Sequence, residues 1–158
     1  MKFSVFIAPK AVKSNLSATS KEDVISELVE ALVEADEILE KDKEEIIRAI
    51  MKREELGSTG IGRGVAVPHT KHPSVKKLIG TVGVSESGLD FESLDGKKAT
   101  IFFLLVSPPD RRGDHLRALE NISMQLRDEQ FCRNLSESKT VEEILSLLEE
   151  ADRAHSAT

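Results

Sequence analysis

Ala99-Thr100-Ile101-Phe102-Phe103-Leu104-Leu105-Val106 carries six consecutive apolar residues from Ile101 onward. A run this short cannot span a bilayer, which takes about 20 apolar residues, and a strand with one wet face would alternate with polar residues. β-branched and aromatic residues without alternation describe a central strand covered on both faces. Ser107-Pro108-Pro109 stops it, because proline cannot continue a ladder. Upstream, residues 78–84 read as a second strand. Val65 and Val67 alternate with Gly64 and Ala66 in a third, which ends at Pro68.

Helical patterns flank these strands. Ser20-Lys21-Glu22-Asp23 has the form of a helix start, and Val24, Leu28, Ala31, Leu32 and Ala35 then share a face, predicting a helix over 21–35. Asp42-Lys43-Glu44-Glu45 repeats the capping pattern ahead of Ile46, Ile47, Ile50 and Met51. This second helix ends at Leu56-Gly57 and puts Arg53 in its last turn, where a cation also offsets the negative helix end. After the polar loop 110–113, Leu116, Leu119, Ile122, Ser123 and Leu126 predict a helix. Thr140-Val141-Glu142-Glu143 caps a last one bearing Ile144, Leu145, Leu147 and Leu148. Some strands are too close in sequence for helical crossovers, so the expected fold is a single α/β domain with a mixed parallel and antiparallel sheet flanked by helices. The domain is expected over 1–152, with 153–158 a disordered tail.

The chain of 158 residues has net charge −6 and neither Trp nor Tyr, which argues against a nucleic-acid binder needing basic patches and aromatic platforms. A short, lysine-interrupted apolar start gives no signal peptide and there is no membrane-spanning run, so a cytoplasmic location is expected, with no direct membrane insertion. The lone Cys132 precludes an internal disulfide and suits core filling. Charge is unevenly spread. Residues 52–77 hold six basic and two acidic residues, net +4 within an acidic chain, and include Arg53, Arg63, His69 and Lys71. Such a segment suits an anionic ligand.

Within it lies Gly60-Ile61-Gly62-Arg63-Gly64-Val65-Ala66-Val67-Pro68-His69. The glycines do not fit the dinucleotide fingerprint, since position 65 is valine and they precede a strand, and no Gly-Lys-Ser/Thr follows to make a P-loop. Pro68 restricts Val67 and fixes its own φ, so His69 stands on a stiff support at a strand end. His115 opens the helix after the central strand. Ligands collect at strand ends in open α/β sheets, so His69, His115 and Arg53 can converge there.

From Lys52-Arg53-Glu54 through the glycine-rich run to Pro68-His69, and again at Asp114-His115-Leu116, the chain resembles the enzyme IIA domains of the fructose/mannitol branch of the bacterial phosphoenolpyruvate:sugar phosphotransferase system (PTS). That family includes the nitrogen-regulatory IIA proteins. The resemblance runs from Ala18-Thr19-Ser20-Lys21-Glu22 to the last helix. It implies the mannitol/fructose IIA fold and a phosphotransferase function as a phosphocarrier. His69 would accept a phosphoryl group, as tele-phosphohistidine, from the small carrier HPr or its nitrogen-branch counterpart NPr. His115 and Arg53 would stabilise that group. Gly62 and Gly64 would offer backbone N–H groups, and Thr70, where the family often has glycine, a hydroxyl. The phosphoryl group would pass to a IIB partner. No cofactor or metal is implied, because transfer between imidazoles needs alignment and charge stabilisation.

Two other readings stand beside this one. A regulatory binding module would use the charge of phosphorylated His69 to switch association with a target protein. A metal site would use His69, His72 and His115 with Asp110 or Asp114. Outside that reading, His72 and His155 are expected to be exposed.

Overall fold

The computed structural model describes residues 1–156, the side chains of 155 and 156 excepted. In chain order the elements are α1 (Phe3–Phe6), α2 (Lys21–Glu34), α3 (Lys43–Glu55), β1 (Gly60–Gly62), β2 (Val65–Ala66), β3 (His69–Lys71), β4 (Ile79–Leu89), β5 (Ala99–Ser107), α4 (Arg112–Gln125), α5 (Glu129–Glu137) and α6 (Val141–Ser156). A short 3-10 turn, Pro9–Ala11, follows α1.

β5 is the axis of a mixed five-stranded sheet. β4 pairs antiparallel along one side, from Ile79 opposite Val106 to Leu89 opposite Ala99. β2 and β3 pair parallel along the other, Val65 with Ile101 and His69 with Leu105, in one unbroken register. They are a single strand interrupted at Val67-Pro68, where proline has no N–H to give to the ladder. Even there the Pro68 carbonyl accepts from Leu105 N–H at 3.1 Å. β1 folds back antiparallel on β2. The glycines thus build a hairpin, whereas the sequence reading had them merely precede a strand.

The apolar run of β5 is unbroken because both faces are covered. Phe102, Leu104 and Val106 join the core beneath α2 and α3, while Ile101, Phe103 and Leu105 join that beneath α4, α5 and α6. Each fully buried residue of this size stabilises the fold by about 1.5–3 kcal/mol, so this strand is the largest local contributor to the two cores.

Several expected elements differ in detail. Ser20 caps α2 as expected, accepting from Asp23 N–H at 3.2 Å, and Thr140 caps α6 from Glu143 N–H at 3.1 Å. Asp42 caps nothing with its side chain: a 3-10 turn, Glu40–Asp42, runs directly into α3 and leaves Asp42 helical at φ −98°. The buried face of α4 is His115, Ala118, Asn121 and Ile122, one position away from the expected face, with Leu116 58% exposed. α5 was not anticipated. It is capped by Asp128, which accepts from the N–H groups of Gln130 and Phe131, and it buries Phe131, Cys132 and Leu135. α6 takes in residues 153–156, expected in a disordered tail, and 157–158 lie outside the described residues.

Candidate functional site

His69 opens β3 directly after Pro68. Its Nδ1 lies 2.7 Å from the carbonyl oxygen of Val67. A carbonyl only accepts, so Nδ1 carries the proton and Nε2 keeps a free lone pair. Val67 is itself held, its N–H donating to the Thr59 carbonyl at 3.0 Å. The imidazole is therefore oriented through its backbone neighbour.

His115, in the first turns of α4, faces it with ring centroids 5.2 Å apart and planes inclined by 58°. It is buried, and its Nδ1 lies 2.5 Å from Ser107 Oγ, the last residue of β5. The two histidines meet because β3 is in register with the C-terminal end of β5, and α4 begins a few residues beyond that end. Neither sequence spacing nor periodicity reports this.

Both rings are held neutral. Burial lowers the pKa of His69, the Val67 hydrogen bond opposes this, and the charge of Arg53 lowers it further. Burial, then the charge His69 carries when protonated and that of Lys71, take His115 down to about 4. At neutral pH His69 thus presents a nucleophilic nitrogen beside a second uncharged imidazole. A histidine whose pKa is lower folded than unfolded binds fewer protons in the native state. Its contribution to stability is complete above the unfolded value near 6.5 and is lost as pH falls toward 4. The chain is expected to lose up to about 3 kcal/mol over that window through His115. Urea unfolding at steps between pH 7 and pH 4 checks this, and His115→Gln should flatten the profile.

Arg53 sits in the last turn of α3, donating from Nη1 to the Gly57 carbonyl at 3.1 Å. It serves the helix end and still acts electrostatically on His69. Lys71, expected only as part of the basic segment and given no role of its own there, is a cation whose charge reaches both histidines. It lies two residues beyond His69 on the same face of β3, by the alternation of a strand. Thr70 lies between them, opposite Val106 on the α3 side, and its hydroxyl has only a 3.4 Å contact to the Lys71 carbonyl. Gly62 and Gly64 are not beside the rings. With φ of +94° and +80° they form the β1–β2 turn, where the Gly64 carbonyl accepts from Thr100 and Ile101 at the other end of β5. Four residues of strand, roughly 13 Å, separate that turn from His69.

The three-imidazole metal site is not assembled. His72, expected to be exposed, is buried and points elsewhere: Nδ1 lies 2.6 Å from Ser74 Oγ and Nε2 lies 3.2 Å from Glu45 Oε1 on α3. Among the described residues no cluster of three His, Cys, Asp or Glu side chains could hold a metal ion. The side chain of His155 lies outside the described residues. Cys132 is buried and its thiol pKa is raised by burial, as suits a core position.

Sequence reasoning also passed over Glu54 and Ser107. Glu54 is buried and accepts from Thr59 N–H at 3.1 Å, from Thr59 Oγ1, and from Lys21 Nζ at 2.9 Å. An acidic residue in the last turn of a helix, where it opposes the dipole, was the available signal. Cavity size does not locate the chemistry. A cleft of about 500 Å³ between α5 and α6 is lined by Glu137, Glu142 and Glu143 and includes none of these residues.

An α/β domain with paired neutral histidines at the end of its central strand is the class this geometry defines. The family described as "Phosphoenolpyruvate-dependent sugar phosphotransferase system, EIIA 2" matches residues 5–151. A nitrogen regulatory protein of Bradyrhizobium diazoefficiens is 34% identical over 148 residues, covering 94% of this chain and 95% of that one. The fructose-specific EIIABC component of Bacillus subtilis is 33% identical over 153 residues, 97% of this chain but 24% of its own length. Among solved structures, nitrogen regulatory protein IIA-Ntr from Neisseria meningitidis superposes with a TM-score of 0.84 at 26% identity, over 92% of this chain and 98% of that one. The chain belongs to the EIIA 2 family of the phosphoenolpyruvate-dependent phosphotransferase system. Among the described residues, no helix is long and apolar enough to cross a membrane.

Proposed function

We propose that this chain is a phosphocarrier whose acceptor atom is Nε2 of His69. The observation that carries the reading is the Val67 carbonyl on Nδ1, which leaves Nε2 unprotonated beside His115. Nε2 attacks the phosphorus of a phosphohistidine on the donor protein, HPr or NPr. The new N–P bond forms as the donor's N–P bond breaks, and the donor nitrogen takes back the electron pair. No base is needed, because the Nδ1 proton stays on the ring and its carbonyl partner stabilises the positive charge that the ring gains. Negative charge on the equatorial oxygens is met by Arg53, Lys71 and the His115 N–H. The bonds broken and made are alike, so transfer runs in both directions, as onward delivery to a IIB partner requires. A complex of a mannitol IIA with phosphorylated IIB from Escherichia coli shares this fold and supports that partner class.

Incubation with phosphoenolpyruvate, enzyme I and either carrier should yield an acid-labile phosphoryl adduct by mass spectrometry. No adduct with either carrier set refutes the proposal. His115→Ala should slow adduct formation about 10- to 100-fold in protein that urea unfolding shows to be folded, since the change also strands the buried Ser107 hydroxyl, and unchanged rates would remove His115 from the chemistry.

The likeness to nitrogen regulatory proteins supports a second output of the same site. A phosphoryl group adds close to two negative charges beside Arg53 and Lys71, enough to change which target protein docks there. Pull-downs with the phosphorylated and unphosphorylated chain should capture different partners, and identical sets would leave transfer as the sole output.

A further inference from the structure

Two neutral imidazoles lie side by side in this site, and one must be the nucleophile while the other donates. Their neighbours decide which. Nδ1 of His69 meets a carbonyl, which fixes the proton on Nδ1. Nδ1 of His115 meets instead a hydroxyl, Ser107 Oγ at 2.5 Å, and a hydroxyl can play either role.

Burial resolves the choice. Ser107 is 0% exposed, and among the described residues its Oγ has no other hydrogen-bond partner. If His115 donated from Nδ1, the serine O–H would be buried with nothing to accept it, at a cost of about 1–3 kcal/mol. If Ser107 donates, both groups are satisfied and the single proton of neutral His115 sits on Nε2. We propose that Ser107 is a positioning residue for phosphoryl transfer, donating to His115 Nδ1 and so fixing the Nε2–H tautomer that makes this ring a donor toward the group on His69. The proposal rests on the phosphocarrier reading above. It gives opposite tautomers to two like rings, with a lone pair on His69 Nε2 and a proton on His115 Nε2.

Ser107 is well placed for this role. It ends β5, its backbone carbonyl accepts from His72 N–H at 2.9 Å, and Pro108 follows at once. The hydroxyl is therefore held by the central strand while His115 is carried by α4, so the bond also sets where α4 begins relative to the sheet.

The test has two arms. In the unphosphorylated chain at neutral pH, nitrogen-15 NMR of the histidine rings should show His115 protonated at Nε2 and bare at Nδ1, with His69 the reverse. Ser107→Ala should mix the His115 tautomers and slow adduct formation on His69 about 10-fold, the value of one hydrogen bond of about 1.4 kcal/mol. Ser107→Thr should restore both, and Ser107→Cys, a near-isosteric weak donor, should restore them in part if the threonine methyl is not accommodated. In a His115→Ala background, Ser107→Ala should have no further effect on rate, whereas a merely structural role would slow both backgrounds alike. A proton on His115 Nδ1 in the wild type, an unchanged rate in Ser107→Ala, or an equal loss in the His115→Ala background overturns the proposal. Absence of any adduct on the wild-type chain overturns the phosphocarrier reading and this role with it, while the tautomer measurement then stands as a statement about the fold alone.

Discussion

His69→Ala is expected to carry no phosphoryl adduct under conditions that fully modify the wild type, a loss beyond about 1000-fold, because among the described residues no other imidazole has the same combination of a free lone pair and access. His115 is buried and, with Nδ1 turned to Ser107, offers its other nitrogen as a donor. His72 is buried against Ser74 and Glu45. The fold should survive, since the His69 side chain is only partly buried and its one bond is to a backbone carbonyl two residues away. Unfolding by urea should shift by less than about 1 kcal/mol, separating lost chemistry from lost structure. On the wild-type adduct, phosphorus–nitrogen coupling in NMR should place the group on Nε2, and a group on Nδ1 would contradict the tautomer set by Val67. An undiminished adduct in His69→Ala would move the acceptor elsewhere. Lys71→Ala should keep the adduct but slow its formation several-fold, since it removes a cation that reaches both rings without touching the nucleophile.

Much of the fold is readable because its signals are local. The run from Ile101 to Val106 sends alternate residues into two cores, and Ser20 and Thr140 cap their helices through atoms three residues away. Pro68-His69 is readable as a rigid presentation for the same reason. What escapes reading is decided across the sheet. The face of α4 turns by one position because His115 and Asn121, both polar, occupy buried places while Leu116 is left outside. A pattern of apolar residues cannot announce a buried histidine whose partner, Ser107, sits on another element. The same holds for His72, which is buried with its Nε2 3.2 Å from Glu45 on α3. Gly62 and Gly64 mislead in the opposite sense: their positive φ serves a hairpin, and closeness in sequence to His69 becomes distance once the chain runs extended along β5. The short helix α5 did have a local signal, Asp128 followed by Phe131, Cys132 and Leu135, but at nine residues it is close to the minimum that periodicity resolves.

The largest loss of stability is expected at Glu54. Its carboxylate is buried, takes two hydrogen bonds from Thr59 and pairs with Lys21 Nζ at 2.9 Å, an ammonium whose side chain is only 15% exposed. Glu54→Ala takes from that ammonium its close carboxylate and leaves the Thr59 N–H buried without its acceptor, which in comparable buried pairs costs about 3–5 kcal/mol. Lys21 keeps a secondary hold on the ring of Phe91, 4.8 Å from its centroid, and a distant contact with Glu92, so the lower end of that range is expected. Urea unfolding measures it. Glu54→Gln should cost less, since it can still accept from Thr59, and adding Lys21→Met to Glu54→Ala should recover part of the loss by removing the stranded charge. The effect should not stop at stability. Thr59 also holds Val67 through its carbonyl, and Val67 holds His69, so loosening Thr59 loosens the acceptor ring two hydrogen bonds away. Glu54→Ala is therefore expected to slow adduct formation about 10-fold at temperatures where it remains folded, while Lys21→Met, which leaves the Thr59 bonds in place, should lower stability with a smaller effect on rate. Equal rates for wild type and Glu54→Ala would confine Glu54 to the stability of α3 and the loop behind it, and would show that the Val67 carbonyl stays in place without the carboxylate beneath it.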